Sequence, residues 1–152
     1  MKANAQTEAA VMDILDRFAN AFAKQDLHAL IALFTPDPNV VCIGTEADEK
    51  CLGPSEIRTH FERNFAQCED LSLEWGWSSV SALDSLAWMA AEGVAHLKAD
   101  GQETHTPLRL TAVLERYEQK WAIVQMHCST PDNVQAQGRS FPVPATTAMS
   151  PN

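Results

Sequence analysis

Apolar residues recur at helical spacing at Val11, Ile14, Leu15, Phe18 and Phe22, which predicts a helix from Thr7 to about Lys24 with one apolar stripe. Thr7 is the expected N-terminal cap, because its hydroxyl can accept from an unpaired backbone N–H of the first turn. Asp26 is placed to cap a second, short helix carrying Leu27, Leu30, Ile31 and Phe34 on one side, with Pro36-Asp37-Pro38 to stop it. Asn39 to Ile43 reads as a short strand ending at Gly44, and the polar run from Thr45 to Lys50 as a turn. Gly53-Pro54 opens a third helix, since proline suits a first helical position where no N–H is needed, and Ile57, Phe61, Phe65 and Cys68 recur along it.

After Asp70 the period becomes two. Leu71, Leu73, Trp75 and Trp77 alternate with Ser72, Glu74, Gly76 and Ser78, as expected of a strand with one buried face. Three more strands are predicted over Leu86 to Lys98, His105 to Tyr117 and Trp121 to Thr130. Asp100-Gly101 and Glu118-Gln119-Lys120 supply the connections. From Pro131 the periodicity ends, and Pro142, Pro144 and Pro151 sit among Ser, Thr, Ala, Gln and Gly. The expected organisation is one domain over residues 7–131 and a Pro-rich, loosely ordered tail over 132–152.

Three helices interrupted by one strand, then a four-stranded antiparallel meander, make an α+β fold. The apolar stripes of the first and third helices can both be buried only on the same concave face of the sheet. Alternation places Leu108, Leu110, Ala112 and Leu114 on that face, matched by Val124, Met126 and Cys128. Arg109, Thr111, Gln125, His127 and Ser129 then form a polar cluster on the opposite face. His127 and Cys128 are adjacent in sequence and therefore point apart, so they are not a catalytic pair.

Of the 152 residues, 45% are hydrophobic and 20% charged, a globular composition. Twenty acidic against eleven basic residues give a net charge of −9, with Lys and Arg scattered singly. Such a balance disfavours nucleic acid and anionic membrane surfaces. No apolar run is long enough to span a bilayer, and Met1 to Glu8 lacks the apolar core of a signal peptide, so a cytoplasmic location is expected. Cys42, Cys51, Cys68 and Cys128 are then expected as reduced thiols, and their irregular spacing argues against zinc. His28 and His60 sit among polar helix neighbours and are expected in solvent, whereas His96 and His105 should face each other across the Asp100-Gly101 turn. Two histidines without a third ligand do not make a metal site, so none is expected. Without a Gly-rich phosphate loop, a nucleophile elbow or a dinucleotide fingerprint, no cofactor is expected either.

The segment Trp121-Ala122-Ile123-Val124-Gln125-Met126-His127-Cys128-Ser129-Thr130-Pro131 resembles the last strand of SnoaL-like domains of the nuclear transport factor 2-like superfamily. It is also similar to that of the calcium/calmodulin-dependent protein kinase II association domain. Arg109-Leu110-Thr111, Asp26 and the Gly53 to Ile57 stretch fit as well, so the resemblance covers roughly residues 7–131. It implies a cone-shaped fold, a curved antiparallel sheet with three N-terminal helices on its concave face. It leaves activity open, because this fold hosts isomerases, cyclases, dehydratases, oligomerisation modules and transport adaptors.

Compared with the steroid isomerase branch, the oxyanion Tyr falls on Phe18, the base on or near Cys42 and the second Asp near Ala112. Phe and Ala cannot exchange a proton and a thiol in an apolar strand has a raised pKa, so that mechanism is rejected. In the kinase association domain a pocket Arg falls on Glu92 and another on Cys128, so the anion-binding character of that pocket is lost here. The expected pocket is lined by Phe18, Phe22, Cys42, Trp75, Trp88, Ala112 and Cys128, with Trp121 in the core. Glu92 either lies in that pocket as a general acid or base or is solvated on the strand's outer face.

The functional expectation is a small-molecule-binding, self-associating domain with an apolar pocket and no catalytic activity assigned. Its partners are a second copy, bound through the sheet, and a small apolar ligand. Two alternatives stand beside it: an isomerase, cyclase or dehydratase using Glu92, and an oligomerising scaffold like the kinase association domain. Arg109, Thr111, Gln125, His127 and Ser129 are expected either within the dimer contact or as an anion-gripping interfacial site.

Overall fold

The computed structural model describes residues 1–132 together with Gly138 and Ser140, so the expected tail over 132–152 lies almost wholly outside the described residues. The first helix, α1, runs Ala5–Ala23 and buries Val11, Ile14, Leu15, Phe18 and Phe22 along one stripe. Asn4 caps it in place of Thr7, its side-chain oxygen accepting from the Thr7 N–H at 2.8 Å. Asparagine caps as well as threonine and stands three residues earlier, so the helix gains most of a turn. Helix α2, Leu27–Ile31, is capped by Asp26 as expected, through the Ala29 N–H at 2.9 Å. It stops short of Phe34, which instead bridges Ile123 of the sheet.

Strand β1, Val41–Ile43, is followed by a second short strand, β2, Lys50–Leu52, which the sequence did not suggest and which starts at the last residue of the expected turn. Cys51 pairs directly with Cys42, and both are buried. Three residues carry too little periodicity to announce a strand; the pairing partner creates it. Helix α3, Gly53–Ala66, starts at Gly53, whose φ of 77° is the left-handed conformation glycine tolerates. Pro54 lies in its first turn, and Glu56 reaches back to accept from the Leu52 N–H at 2.8 Å. Cys68 lies just past the helix, its thiol donating to the Asn64 carbonyl.

Four long strands complete the sheet: β3 Asp70–Leu83, β4 Leu86–Ala99, β5 Gln102–Tyr117 and β6 Lys120–Ser129. The six-stranded sheet has the order β2-β1-β6-β5-β4-β3, antiparallel except for the parallel β1–β6 pair. It is curved and unclosed, with the N-terminal helices on its inner face. At the β4–β5 turn, Asp100 and Gly101 both take positive φ, as the favoured two-residue hairpin requires. His96 and His105 face each other beside it, with their Nδ1 atoms 2.7 Å apart and Glu74 3.4 Å from His96 Nε2. Among the described residues, no group of three or more His, Cys, Asp or Glu is arranged to hold a metal ion.

Two bulges redirect side chains. Trp75 pairs with Gly93 but Ser78 with Ala91, so β3 uses one more residue than β4 across Gly76 and Trp77. The alternation flips there: Trp75 turns inward, while Trp77 is 56% exposed on the outer face, contrary to its expected place in one stripe. Likewise Val113 pairs with Gln125 and Leu114 with Ile123, leaving Val124 as the extra residue. Ile123 and Met126 are buried as a result, and Val124 loses the inner position that strict alternation gave it. The expected inner face of β5 holds, with Leu108, Leu110, Ala112 and Leu114 all buried.

Helix and sheet meet through an aromatic cluster. Phe22 touches Phe18, Phe61 and Phe65 at ring-centre distances of 5.2, 5.6 and 5.4 Å. These contacts set the spacing between α1 and α3 and leave a hollow against the sheet.

Candidate functional site

A cavity of about 340 Å³ lies between the helices and the inner face of the sheet. Phe18, Phe22 and Phe61 wall it on the helical side, and Leu73, Leu97 and Leu108 on the strand side. Of the residues expected there, Phe18, Phe22, Cys42 and Cys128 line it. Ala112 is buried on the inner face but does not reach the cavity. Trp75 packs against the core with its indole N–H unpartnered, and it too is outside the cavity.

One end of the cavity is polar, formed by Thr45, Glu49, His60 and Asn64, which contact one another. His60 was expected in solvent; it is 7% exposed. It stands three residues after Ile57, on the same helix face as Phe61 and Asn64, so the helical period places it inward. Glu49, which no sequence feature singled out, is 8% exposed. The chain between Gly44 and Glu49 folds back on itself, with the Gly44 N–H donating to the Glu49 carbonyl at 2.8 Å. That return aims the N–H groups of Thr45 and Glu46 at Glu49 Oε2, at 2.9 and 3.1 Å. Glu49 Oε1 lies 3.6 Å from His60 Nδ1 and 3.4 Å from Arg63 Nη2, and Asn64 Nδ2 lies 3.2 Å from His60 Nε2. Arg63 is held in turn by Asp48 at 2.7 Å.

Burial pushes the His60 pKa below its ordinary 6.5, and the Arg63 charge acts the same way, while Glu49 and Asp48 oppose them. The Arg63 hydrogen bond holds the exposed Asp48 carboxyl below its usual range. Burial raises the Cys42 thiol strongly, raises Cys68 and pushes Cys128 up to about 12, so none of the three lining cysteines offers a thiolate.

The lowered His60 value has a consequence for stability. Below 6.5 the unfolded chain binds this proton more readily than the folded one, so His60 stabilises the fold at higher pH and that contribution is lost as pH falls through its depressed value. Chemical denaturation at about pH 7.5 and about pH 5 should show a smaller acid loss in His60→Gln than in the parent. Equal acid losses in the two proteins would contradict the assignment.

Residues 11–133 match the SnoaL-like domain family. The chain belongs to that family. Among the curated proteins, none matches this sequence. A nuclear transport factor 2-like superfamily protein from Salmonella enterica superposes with a TM-score of 0.80 at 17% identity, covering 90% of this chain and 99% of that one. A candidate dehydratase from Streptomyces avermitilis gives 0.75 at 18% identity, covering 84% of this chain and 99% of that one. A candidate calcium/calmodulin-dependent protein kinase II association domain from Xanthomonas campestris gives 0.73 at 24% identity, covering 88% and 91%. These likenesses show the fold: nuclear transport factor 2-like, as the sequence resemblance implied.

The outer face of this SnoaL-like domain carries the remaining expected residues. Arg109, Thr111, Gln125 and His127 are exposed there and Ser129 is half-buried, with Thr111 opposite His127 and Arg109 opposite Ser129. Trp88 and Trp77 border a shallow groove on this face with Thr111, Val113 and Gln125. Trp88 therefore does not line the inner cavity as expected; an even-numbered residue between the buried Ala87 and Met89 must point outward. Glu92 follows the same alternation. Its carboxylate is 3.7 Å from Arg109 with both side chains about 60% exposed, so the structure gives it the solvated outer-face position and no place in the pocket. Among the described residues, no helix is long and apolar enough to cross a membrane.

Proposed function

We propose that this SnoaL-like domain binds a small, largely apolar molecule in the cavity, with the ligand's polar group at the Glu49–His60–Asn64 end. One observation carries the reading: an apolar hollow of about 340 Å³ whose buried polar groups converge at one end. Such one-ended polarity is how binding pockets orient a ligand. Catalysis is not part of the proposal, since the acid/base role considered for Glu92 has no pocket geometry to support it.

Fluorescence titration with 2-naphthol tests the reading. Saturable binding at one site per chain is expected. It should be lost in Ala95→Trp, which fills the cavity, and kept in Trp88→Ala, which alters only the outer face. The opposite pattern would contradict it.

We infer further that the domain self-associates through the outer face, where Trp77 and Trp88 are exposed around the groove. The Xanthomonas campestris relative's description as a candidate association domain supports this. Sedimentation should give a dimer that Trp88→Glu dissociates. A chain that stays monomeric at high concentration would overturn the inference, and a larger ring would favour the scaffold alternative.

A further inference from the structure

We propose that the outer face of the sheet binds one divalent ion of the copper(II) or nickel(II) class, chelated by His96 and His105 near the β4–β5 turn. The two histidines are cross-strand partners on β4 and β5. Their Nδ1 atoms stand 2.7 Å apart, with the ring planes at 70° to each other. Two bare lone pairs do not face each other at that distance, so one Nδ1 carries a hydrogen and the other accepts it. Glu74 decides which. Its carboxylate lies 3.4 Å from His96 Nε2, and its charge favours the tautomer with the proton on that atom. His96 therefore presents its Nδ1 lone pair, and His105 donates from Nδ1.

A metal ion can take the place of that shared hydrogen. The His105 proton moves through solvent from Nδ1 to Nε2, both rings stay neutral, and two Nδ1 lone pairs then meet the ion. With bonds of about 2.0–2.1 Å, two nitrogens at a right angle are about 2.9 Å apart, and two at a tetrahedral angle about 3.3 Å. The observed 2.7 Å needs only a small opening to reach the first arrangement. That favours copper(II) or nickel(II), which hold neighbouring ligands at right angles, over tetrahedral zinc. The expectation that no metal binds turned on the missing third protein ligand; an ion with water in its remaining positions does not need one. Glu74 adds support from behind, since a carboxylate beside the far nitrogen of a ligating histidine fixes its tautomer and raises its basicity.

The hairpin holds the pair in place. Asp100 and Gly101 close it in the favoured two-residue turn, and the Gly101 N–H donates to Glu69 Oε1 at 2.9 Å, which ties the turn to the start of β3. Lys98, the next outward residue on β4, is engaged by Glu69 at 3.6 Å and faces Glu103 across the strands, so it does not leave an uncompensated positive charge beside the site. His105 is exposed and His96 half-buried, so an ion reaches both. The pair lies about 27 Å along β4 from Trp88, clear of the groove assigned to self-association, and on the opposite face of the sheet from the cavity.

Calorimetric titration of the intact chain with nickel, copper and zinc chlorides tests this. One nickel ion per chain is expected, bound at least as tightly as zinc, with copper tightest of the three. His96→Asn and His105→Asn should each weaken nickel binding at least about tenfold. Glu74→Gln should weaken it by about tenfold, the low end for such a supporting carboxylate because this one is 80% exposed. His28→Asn, on α2, should bind as the parent does. Electron paramagnetic resonance of the parent loaded with one equivalent of copper should show an axial spectrum with coupling to two nitrogens, reduced to one in His105→Asn. Nickel binding that survives the double variant His96→Asn/His105→Asn, zinc bound more tightly than nickel, a copper spectrum without coupling to two nitrogens, or no stoichiometric binding would each overturn the proposal.

Discussion

Gly44→Ala should disable the polar end of the cavity and destabilise the fold by on the order of 3 kcal/mol. A Cβ at Gly44 would stand 2.8 Å from Glu49 Cβ and 2.9 Å from Glu49 Cδ, and closer still to Oε2. No rotamer change relieves a clash with the Glu49 Cβ, so the 44–49 backbone must shift and carry the side chain away. It would then lose the Thr45 and Glu46 N–H groups that hold it, and His60 would lose the charge beside it. Thermal unfolding should drop by on the order of 10 °C, and binding of 2-naphthol should weaken. Glu49→Gln is the milder control. It keeps an acceptor for the backbone and removes only the charge, so about 1 kcal/mol is expected. A Gly44→Ala protein as stable as the parent would mean that Glu49 is not held as described.

The second large effect is expected at Phe61. Its ring lies 6.0 Å from Phe18, 5.6 Å from Phe22 and 6.1 Å from Phe34, so one side chain joins α1, α3 and the segment after α2. It is 3% exposed. Phe61→Ala removes the shared contact and enlarges a hollow that is already present, so little of the loss can be recovered by collapse. The cost should be about 3–5 kcal/mol by denaturant titration, with weaker binding of 2-naphthol. Phe61→Leu, which keeps most of the volume, should cost roughly 1–1.5 kcal/mol. Comparable costs for the two variants would argue that the ring does not bridge the helices.

These expectations divide by how locally the underlying features are encoded. The apolar stripes of α1 and α3 were legible because the helical period is a property of neighbouring residues, and Asp26 announced α2 for the same reason. The inner face of β5 was legible by simple alternation. Alternation failed at Trp77 and Val124, where each bulge is a property of two strands in register. Gly76 was a readable hint of the first, since an isolated glycine in a strand often marks a bulge. Misplacing the tryptophans also misplaced the pocket, drawing attention to Trp75, Trp88 and Glu92 and away from α3. His60 and Asn64 could have been assigned inward from their spacing to Ile57. Glu49 could not, because its carboxylate is buried by a fold-back of residues 44–49 that brings no periodic signal with it.

The most direct measurement of the central claim is an amide-resolved nuclear magnetic resonance titration with 2-naphthol. The account predicts that the shifts concentrate at Gly44, Asn64, Leu73, Leu97 and Cys128, which surround the cavity just past β1, on α3 and at inner strand positions. Shifts confined instead to Trp77, Trp88, Thr111 and Gln125 on the outer face would contradict it.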